Sequence, residues 1–457
     1  MKLLKLASVT LAVVFTTTVQ TYAQKAANHS LVLPSVNQLK WADQEIGAIF
    51  HFDLITYVPN YHWNDFGTHP DIKVFNPSNV NTDQWILAAK AAGAKYAILV
   101  AKHCSGFSLW PTAAHEYSVK NAPWKNGKGD LVKDFIASCK KYGVKPGIYA
   151  SASANGYLHV QNPGLVSPKG PVDQKTYNGI VMQQLTELWT NYGKLFEIWF
   201  DGGVQPVKDG GPDVAALLER LQPDAVVFGG PSTAKNLLRW MGNEEGIAPY
   251  PNWATTNKVI DANGTLKQEE WGGSPDGQVW DPAETDFALR TGWQGGWFWK
   301  ASDQGMFTLE RLKSNYVTSI GRNSNMLIGI AVDTSGMVPA EDVKRLTEFG
   351  ELIKREFKPV ASTKGNGREL ILNLGKASRV DGYLIREDIA KGERIRKYIV
   401  EAMVNGRWKK VTEGISVGNK RIELLKPIVT SKLRLMVTSS VAGPIVKQFA
   451  ALNTLAK

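Results

Sequence analysis

The sequence predicts a (β/α)8-like barrel of the α/β class followed by a C-terminal all-β sandwich. Three observations carry that expectation. Short apolar runs alternate with stretches of helical period up to about residue 357. Beyond that point the segments shorten and partly alternate, and a hairpin signal appears. Composition changes at the same place. Residues 356–457 carry 20 Lys+Arg against 9 Asp+Glu, whereas the first 355 residues carry 33 of each. Fourteen of the 15 tryptophans and all seven histidines lie in that neutral first part.

Taken in order, the buried-strand candidates are residues 46–52, 95–101, 145–150, 195–200, 225–228, 295–299 and 325–331. Helical stretches fall at 85–92, 130–142, 181–192, 214–221, 308–320 and 338–357. Apolar strands separated by amphipathic helices imply a parallel sheet covered by helices. About eight such units in some 300 residues favour a closed barrel over an open sheet. No glycine-rich phosphate-binding motif follows any of these strands, which argues against nucleotide binding. The boundary is expected near residue 358. Past it, runs at 369–374, 397–404, 408–411 and 432–437 read as strands, with Asn405-Gly406 as a tight hairpin turn.

The N-terminus reads as an export signal over residues 1–23. Lys2 and Lys5 precede an apolar stretch at 6–19, and Thr21-Tyr22-Ala23 supplies a small-residue cleavage pattern. The expected mature chain, 24–357 plus 358–457, is periplasmic or secreted. The apolar stretch is short for a membrane span. Two cysteines, Cys104 and Cys139, exclude a disulfide framework and a thiolate zinc cluster. The basic surplus of the last domain is spread without a dense cluster, as on an ordinary solvated surface, and nucleic acid is not an expected partner. No metal is expected, because no His-x-x-x-His or clustered acids accompany the candidate site.

In a parallel barrel, polar groups at the C-terminal ends of strands face the mouth. The first strand ends in His51. The second runs into Lys102-His103-Cys104, the third carries Tyr149, and the fourth ends in Trp199-Phe200-Asp201-Gly202-Gly203. Residues 295–299 add Trp297 and Trp299. Two His, a Tyr, an Asp and several Trp describe a polar pocket with aromatic walls, which suits a sugar. Strand alternation puts Glu197, Trp199 and Asp201 on one face. Glycoside hydrolysis needs a second carboxylate. Glu244 and Glu245, in the Gly-flanked segment 240–246 read as following the fifth strand, are candidates. Glu270, in Gln268-Glu-Glu-Trp271, competes with them.

These residues resemble glycoside hydrolase family 29, the retaining α-L-fucosidases. Phe50-His51, Phe75-Asn-Pro77 with Trp85, Ala91-Ala-Gly-Ala-Lys-Tyr96, Ala101-Lys-His-Cys-Ser-Gly-Phe-Ser-Leu-Trp110, Gly147-Ile-Tyr149 and Trp199-Phe-Asp-Gly202 follow the family's order over residues 35–355. The resemblance implies a barrel with a C-terminal β-sandwich and no cofactor. It makes Asp201 the nucleophile and His51, His103 and Tyr149 ligands of fucose hydroxyls. Trp63 and one of Trp297 or Trp299 would pack on the sugar. The segment Gly242-Asn-Glu244 is similar to the acid/base motif of the branch that cleaves α-1,3 and α-1,4 linkages, which favours Glu244. Two positions depart from the pattern: Cys104 stands for the motif's second His, and His62 for an acid before Trp63.

The expected activity is therefore exo-hydrolysis of terminal fucose with retention, the ionised Asp201 helped by a polar pocket. Two alternatives stay open at this point: a glycan-binding protein without turnover, and a retaining glycosidase acting on another sugar. Oligomeric state is not legible.

Overall fold

The computed structural model describes residues 31–58, 60–66, 69–257, 271–303 and 305–454. The expected signal segment 1–23 and Glu270 lie outside the described residues. Eight parallel strands close into a barrel: β1 (Ile46–His51), β2 (Tyr96–Lys102), β3 (Lys145–Ala150), β4 (Glu197–Trp199), β5 (Val226–Phe228), β6 (Leu237–Trp240), β7 (Ala283–Ala288) and β8 (Ser324–Ala331). Each strand pairs with its neighbour in sequence, and β8 closes on β1. The outer layer holds α1 (Val36–Ala42), α2 (Thr82–Ala91), α3 (Leu131–Tyr142), α4 (Gln174–Thr190), α5 (Val214–Leu221), α6 (Leu309–Thr318) and α7 (Ala340–Glu356). Among the described residues no helix separates β5 from β6 or β6 from β7, so the barrel is irregular on that side.

Local chemistry explains the helices. In α3, Asp130 caps the first turn by accepting from the Lys133 amide, and Gly143 ends it at φ 68°. Leu131, Phe135, Ile136 and Cys139 form its buried face. Phe135 packs edge-on against Phe50, which stacks on Trp85 of α2. Fully burying each such ring contributes about 1.5–3 kcal/mol. Cys139 is thus a core thiol, and burial pushes its pKa up.

The pleat sorts side chains between two cores. Phe50, Leu99, Ile148, Ile198 and Val227 face the helices. Ile49, Ile98, Tyr149, Trp199, Val226, Phe228, Leu238 and Leu327 fill the barrel. A register break between Val100 and Lys102 interrupts β2. It turns Lys102 outward, where its Nζ donates to Gln184 of α4 at 2.9 Å, and leaves His103 for the mouth.

The sequence expectation misplaces the seventh strand. Residues 295–299 are no strand; the chain makes a tight turn at Trp293–Gly296 with Gln294 and Gly295 at positive φ. The strand is Ala283–Ala288, whose Glu284 and Asp286 hide it from an apolar-run reading. Leu237–Trp240 is likewise an unexpected strand, so Glu244 follows the sixth strand and not the fifth.

Residues Ala361–Leu452 form a separate antiparallel sheet in the order β9 (Ala361–Asn366), β14 (Ile445–Leu452), β10 (Glu369–Glu387), β13 (Arg421–Ser440), β11 (Ile395–Val404) and β12 (Arg407–Gly414). Asn405 and Gly406, at φ 52° and 75°, turn the β11–β12 hairpin. Strands β10 and β13, 19 and 20 residues long, carry register breaks, and both halves of β10 feed one apolar core. The sheet meets the barrel at the N-terminal ends of its strands. Arg386 pairs with Asp43 at 3.0 Å, and Lys420 pairs with Glu45 just before β1. Glu393 accepts from Asn323, just before β8, and from the Ala254 amide. No helix among the described residues is long and apolar enough to cross a membrane.

At the opposite end, buried Arg290 follows β7 and grips Asp342 of α7 through Nε–Oδ2 at 2.9 Å and Nη2–Oδ1 at 2.6 Å. Arg290 also donates to the Asp303 carbonyl at 2.9 Å, which ties down the segment carrying Trp297. Asp342→Ala removes the two-point partner of a buried guanidinium, leaving it the half-exposed Glu341 at 2.7 Å as its charged partner, and is expected to cost about 3 kcal/mol in urea unfolding. A loss below about 1 kcal/mol, the range of an exposed pair, would contradict the clamp.

Candidate active site

The strand ends assemble a continuous ring of side chains at the C-terminal mouth. His51, 5% exposed, lies with its ring 5.9 Å from that of His103. His103 stacks parallel to Tyr149 at 5.9 Å and 10°. Tyr149 stacks on Trp199 at 5.4 Å, and Trp199 on Phe228 at 4.0 Å. On the other side His51 meets Trp297 at 4.9 Å. Phe298 closes edge-on over His51 at 5.3 Å and His103 at 5.0 Å. Trp63 is half-buried and packs with Trp297 on the Ile55, Tyr61 and Phe298 cluster. His62 is exposed. Trp299 is half-buried and makes none of the ring contacts that bring Trp297 to His51, so of the two it is Trp297 that joins this ring.

Two carboxylates hang on this ring. Tyr149 Oη donates to Asp201 Oδ2 at 3.0 Å. Past Asp201 the chain turns through Gly202 and Gly203 at φ 63° and 77°, and a Cβ on Gly202 would meet Asn162 Nδ2 at 2.4 Å. Ser153 Oγ holds the Asp201 carbonyl at 2.5 Å. Opposite, Trp297 Nε1 donates to Glu244 Oε2 at 3.0 Å. Asn243 fixes that loop by donating to the Met241 and Ile247 carbonyls at 3.1 and 2.9 Å. Glu245 points away and pairs with Arg311 at 2.5 Å on the exposed side. The two adjacent acids therefore have different surroundings, as adjacent positions on a turn require.

Electrostatics follow from burial. Asp201 lies above the ordinary aspartate range because burial outweighs the Tyr149 and Gly202 hydrogen bonds. The pocket thus opposes its ionisation on balance, contrary to the expectation that polar surroundings would help it. Burial pushes His103 down to about 4 and holds His51 well below its usual value, helped by His103. Both imidazoles are neutral near pH 7, and each has a buried Nδ1 with no partner. Burial, then the Asp201 charge, pushes the Cys104 thiol up to about 12. Donor atoms of His103, Cys104 and Asp201 lie within 4.8 Å of one another.

This arrangement offers one carboxylate facing inward, a second on a loop, and buried polar atoms awaiting partners between aromatic walls. Residues 30–357 match the family model of alpha-L-fucosidase. The chain belongs to the alpha-L-fucosidase family. It is similar to alpha-L-fucosidase 1 of Arabidopsis thaliana, with 32% identity across 91% of this chain and 86% of that one. A solved structure from Bacteroides thetaiotaomicron superposes with a TM-score of 0.87 at 39% identity, covering 93% of this chain and 99% of that one. A glycoside hydrolase 29 family member from an unknown rumen bacterium gives 0.80 at 30% identity over 94% and 78%. As a member of the alpha-L-fucosidase family the protein is a glycoside hydrolase, and its substrate class is the fucosylated glycan.

Sequence reasoning passed over three groups in this fucosidase site. Phe298 was hidden behind its two Trp neighbours. Ser153 sits in a Ser/Ala run with no motif. Asp286 lies on the unrecognised strand β7; its only signal is period-two spacing from Glu284. It is 3% exposed, accepts from Trp240 Nε1 at 2.8 Å, and through its carbonyl holds the Gly246 amide at 3.0 Å. Burial, then the charges of Glu244, Glu284 and Asp201, raises it well above the usual range. A neutral Asp286 keeps a further negative charge away from Asp201.

The folded state keeps the Asp286 proton after an unfolded chain has lost it near about pH 3.9. The contribution of Asp286 to stability therefore falls as pH rises above that value, while an amide has no proton to lose. Asp286→Asn, which preserves the acceptor for Trp240, is expected to gain on the parent between about pH 4 and pH 8 in parallel urea titrations. A constant difference across that range would contradict a protonated Asp286.

Proposed function

We propose that this chain is an exported, exo-acting, retaining α-L-fucosidase that removes terminal fucose, α-1,3- or α-1,4-linked, from glycans. The observation that carries the proposal is the unbroken chain of contacts from Asp201 through Tyr149, His103, His51 and Trp297 to Glu244. It places an inward carboxylate and a loop carboxylate around one aromatic-walled pocket.

In this reading Asp201 attacks the anomeric carbon while Glu244 gives its proton to the departing glycosidic oxygen. The carbon–oxygen bond to the leaving sugar breaks as the fucosyl–Asp201 ester forms. Glu244, now ionised, takes a proton from water, whose oxygen attacks the same carbon and frees Asp201. Neutral His51 and His103 meet hydroxyls with their unpartnered nitrogens, and Trp297 presents a ring to the sugar's C–H face. Trp297 and Trp63 flank the same side. Retention calls for carboxyl oxygens about 5–5.5 Å apart in the loaded site. The linkage preference rests on the Gly242-Asn-Glu244 likeness, and export on the basic start, apolar stretch and small-residue site of residues 1–23.

Asp201→Ala is expected to lose about three orders of magnitude or more in kcat on an aryl α-L-fucoside while still binding fucose. Near-parental turnover would remove Asp201 from the mechanism. Azide should restore turnover to Glu244→Ala and yield α-fucosyl azide, the anomer of retained configuration; rescue of Glu245→Ala or Glu270→Ala in its place would move the acid/base role.

Because Asp201 works ionised and sits above its usual range, activity should fall away on the acid side. Tyr149→Phe removes a hydrogen bond that holds that pKa down. Its kcat/KM profile should have an acid limb displaced to higher pH, and an unmoved limb would detach Asp201 from it. Release of fucose from Lewis-type trisaccharides, with the first anomer read by NMR, tests linkage and retention together.

A further inference from the structure

We propose that the same pocket binds a thiophilic divalent cation, of the zinc and cadmium class, through His103, Cys104 and Asp201, in competition with the sugar. The inference starts from the chain's departure from the family motif. Cys104 puts a sulfur, 5% exposed as a residue, beside an imidazole and a carboxylate. The three donor atoms lie within 4.8 Å of one another. Metal–ligand distances of about 2.0–2.3 Å require them to close by about 1 Å, within the reach of side-chain rotation.

A second observation points to a ligand at this place. His103 Nδ1 is buried without a hydrogen-bond partner, and so is Nδ1 of the neighbouring His51. In the tautomer protonated at Nε2, His103 Nδ1 offers a cation the lone pair that a sugar hydroxyl would otherwise meet. One imidazole, one thiolate and one carboxylate are each zinc ligands, and three protein ligands leave the fourth position to water, as in open zinc sites. Sulfur and nitrogen donors select zinc or cadmium over magnesium or calcium.

The charges also balance. On binding, the thiol proton leaves to solvent as the sulfur–metal bond forms, with no change of oxidation state. Thiolate and carboxylate then cancel the two positive charges, and the imidazole stays neutral. A cation on Asp201 draws off the carboxylate's electron density and fills the space in front of it, so Asp201 no longer reaches the anomeric carbon as a free nucleophile. Cation and fucose exclude each other.

The test uses the full chain freed of metal. Cobalt(II) should give a thiolate-to-metal charge-transfer band in the near ultraviolet, absent in Cys104→Ser and displaced by zinc. Micromolar zinc should inhibit aryl-fucoside hydrolysis competitively with added fucose. A chelator should reverse it, and magnesium should have no effect. Cys104→Ser should raise the inhibiting zinc concentration at least tenfold relative to its own metal-free rate. No band in the parent chain, or equal inhibition of both proteins, overturns the proposal. The band reports sulfur ligation with or without turnover, so a chain that binds cobalt but cleaves no fucoside would overturn the functional reading and leave this one standing.

Discussion

The barrel is organised around two carboxyl groups placed where carboxyl groups are hardest to place. Glu197 of β4 and Glu284 of β7 are both fully buried inside it. Burial raises both, Glu284 to about 7 and Glu197 well above its usual range, with the charge of Glu284 as a further cause for Glu197. Three buried donors meet them: Trp41 Nε1 at 2.9 Å on Glu197, Tyr96 Oη at 2.6 Å and Trp199 Nε1 at 3.1 Å on Glu284. Leaving such groups unpaired is costly, so each donor is held to one orientation. Trp199 thereby becomes a fixed platform. Tyr149 stacks on it and delivers its hydroxyl to Asp201. The chemistry at the mouth is aligned by polar groups one layer beneath it.

The same pleat explains why the site was partly readable from residues alone. His51, Tyr149 and Trp199 fall at inward positions of largely apolar strands and Asp201 follows just beyond β4, so the polar exceptions stood out. His103 reaches the mouth because of a register break in β2 that no periodicity announces. Strand β7 failed as a pattern for a physical reason: its inward residues are acids, and the core they enter is polar at that level. Glu284 and Asp286 went unread with it. Residues 295–299, rich in Trp, looked like a strand because aromatic residues are common in strands and in sugar pockets alike. Gln294, Gly295 and Gly296 at positive φ turn them instead into a rigid edge over His51.

Burial also corrects a chemical intuition. A pocket lined with His, Tyr and Trp looks polar in sequence, and a carboxylate in it looks comfortable. In the folded chain each of these groups is itself desolvated. The imidazoles lose their charge and so lend Asp201 no positive partner, while Cys104 stays a thiol. The driving force for attack comes with a cost to ionisation, which the hydrogen bond from Tyr149 offsets in part.

The sheet of residues Ala361–Leu452 grips the floor of the barrel through Asp43, Glu45, Asn323 and Ala254. The mouth opens at the other end of every strand. Tethering the protein through this sheet to a bead, a scaffold or another polypeptide would therefore hold it by its base, with the opening turned outward to whatever large glycoconjugate arrives.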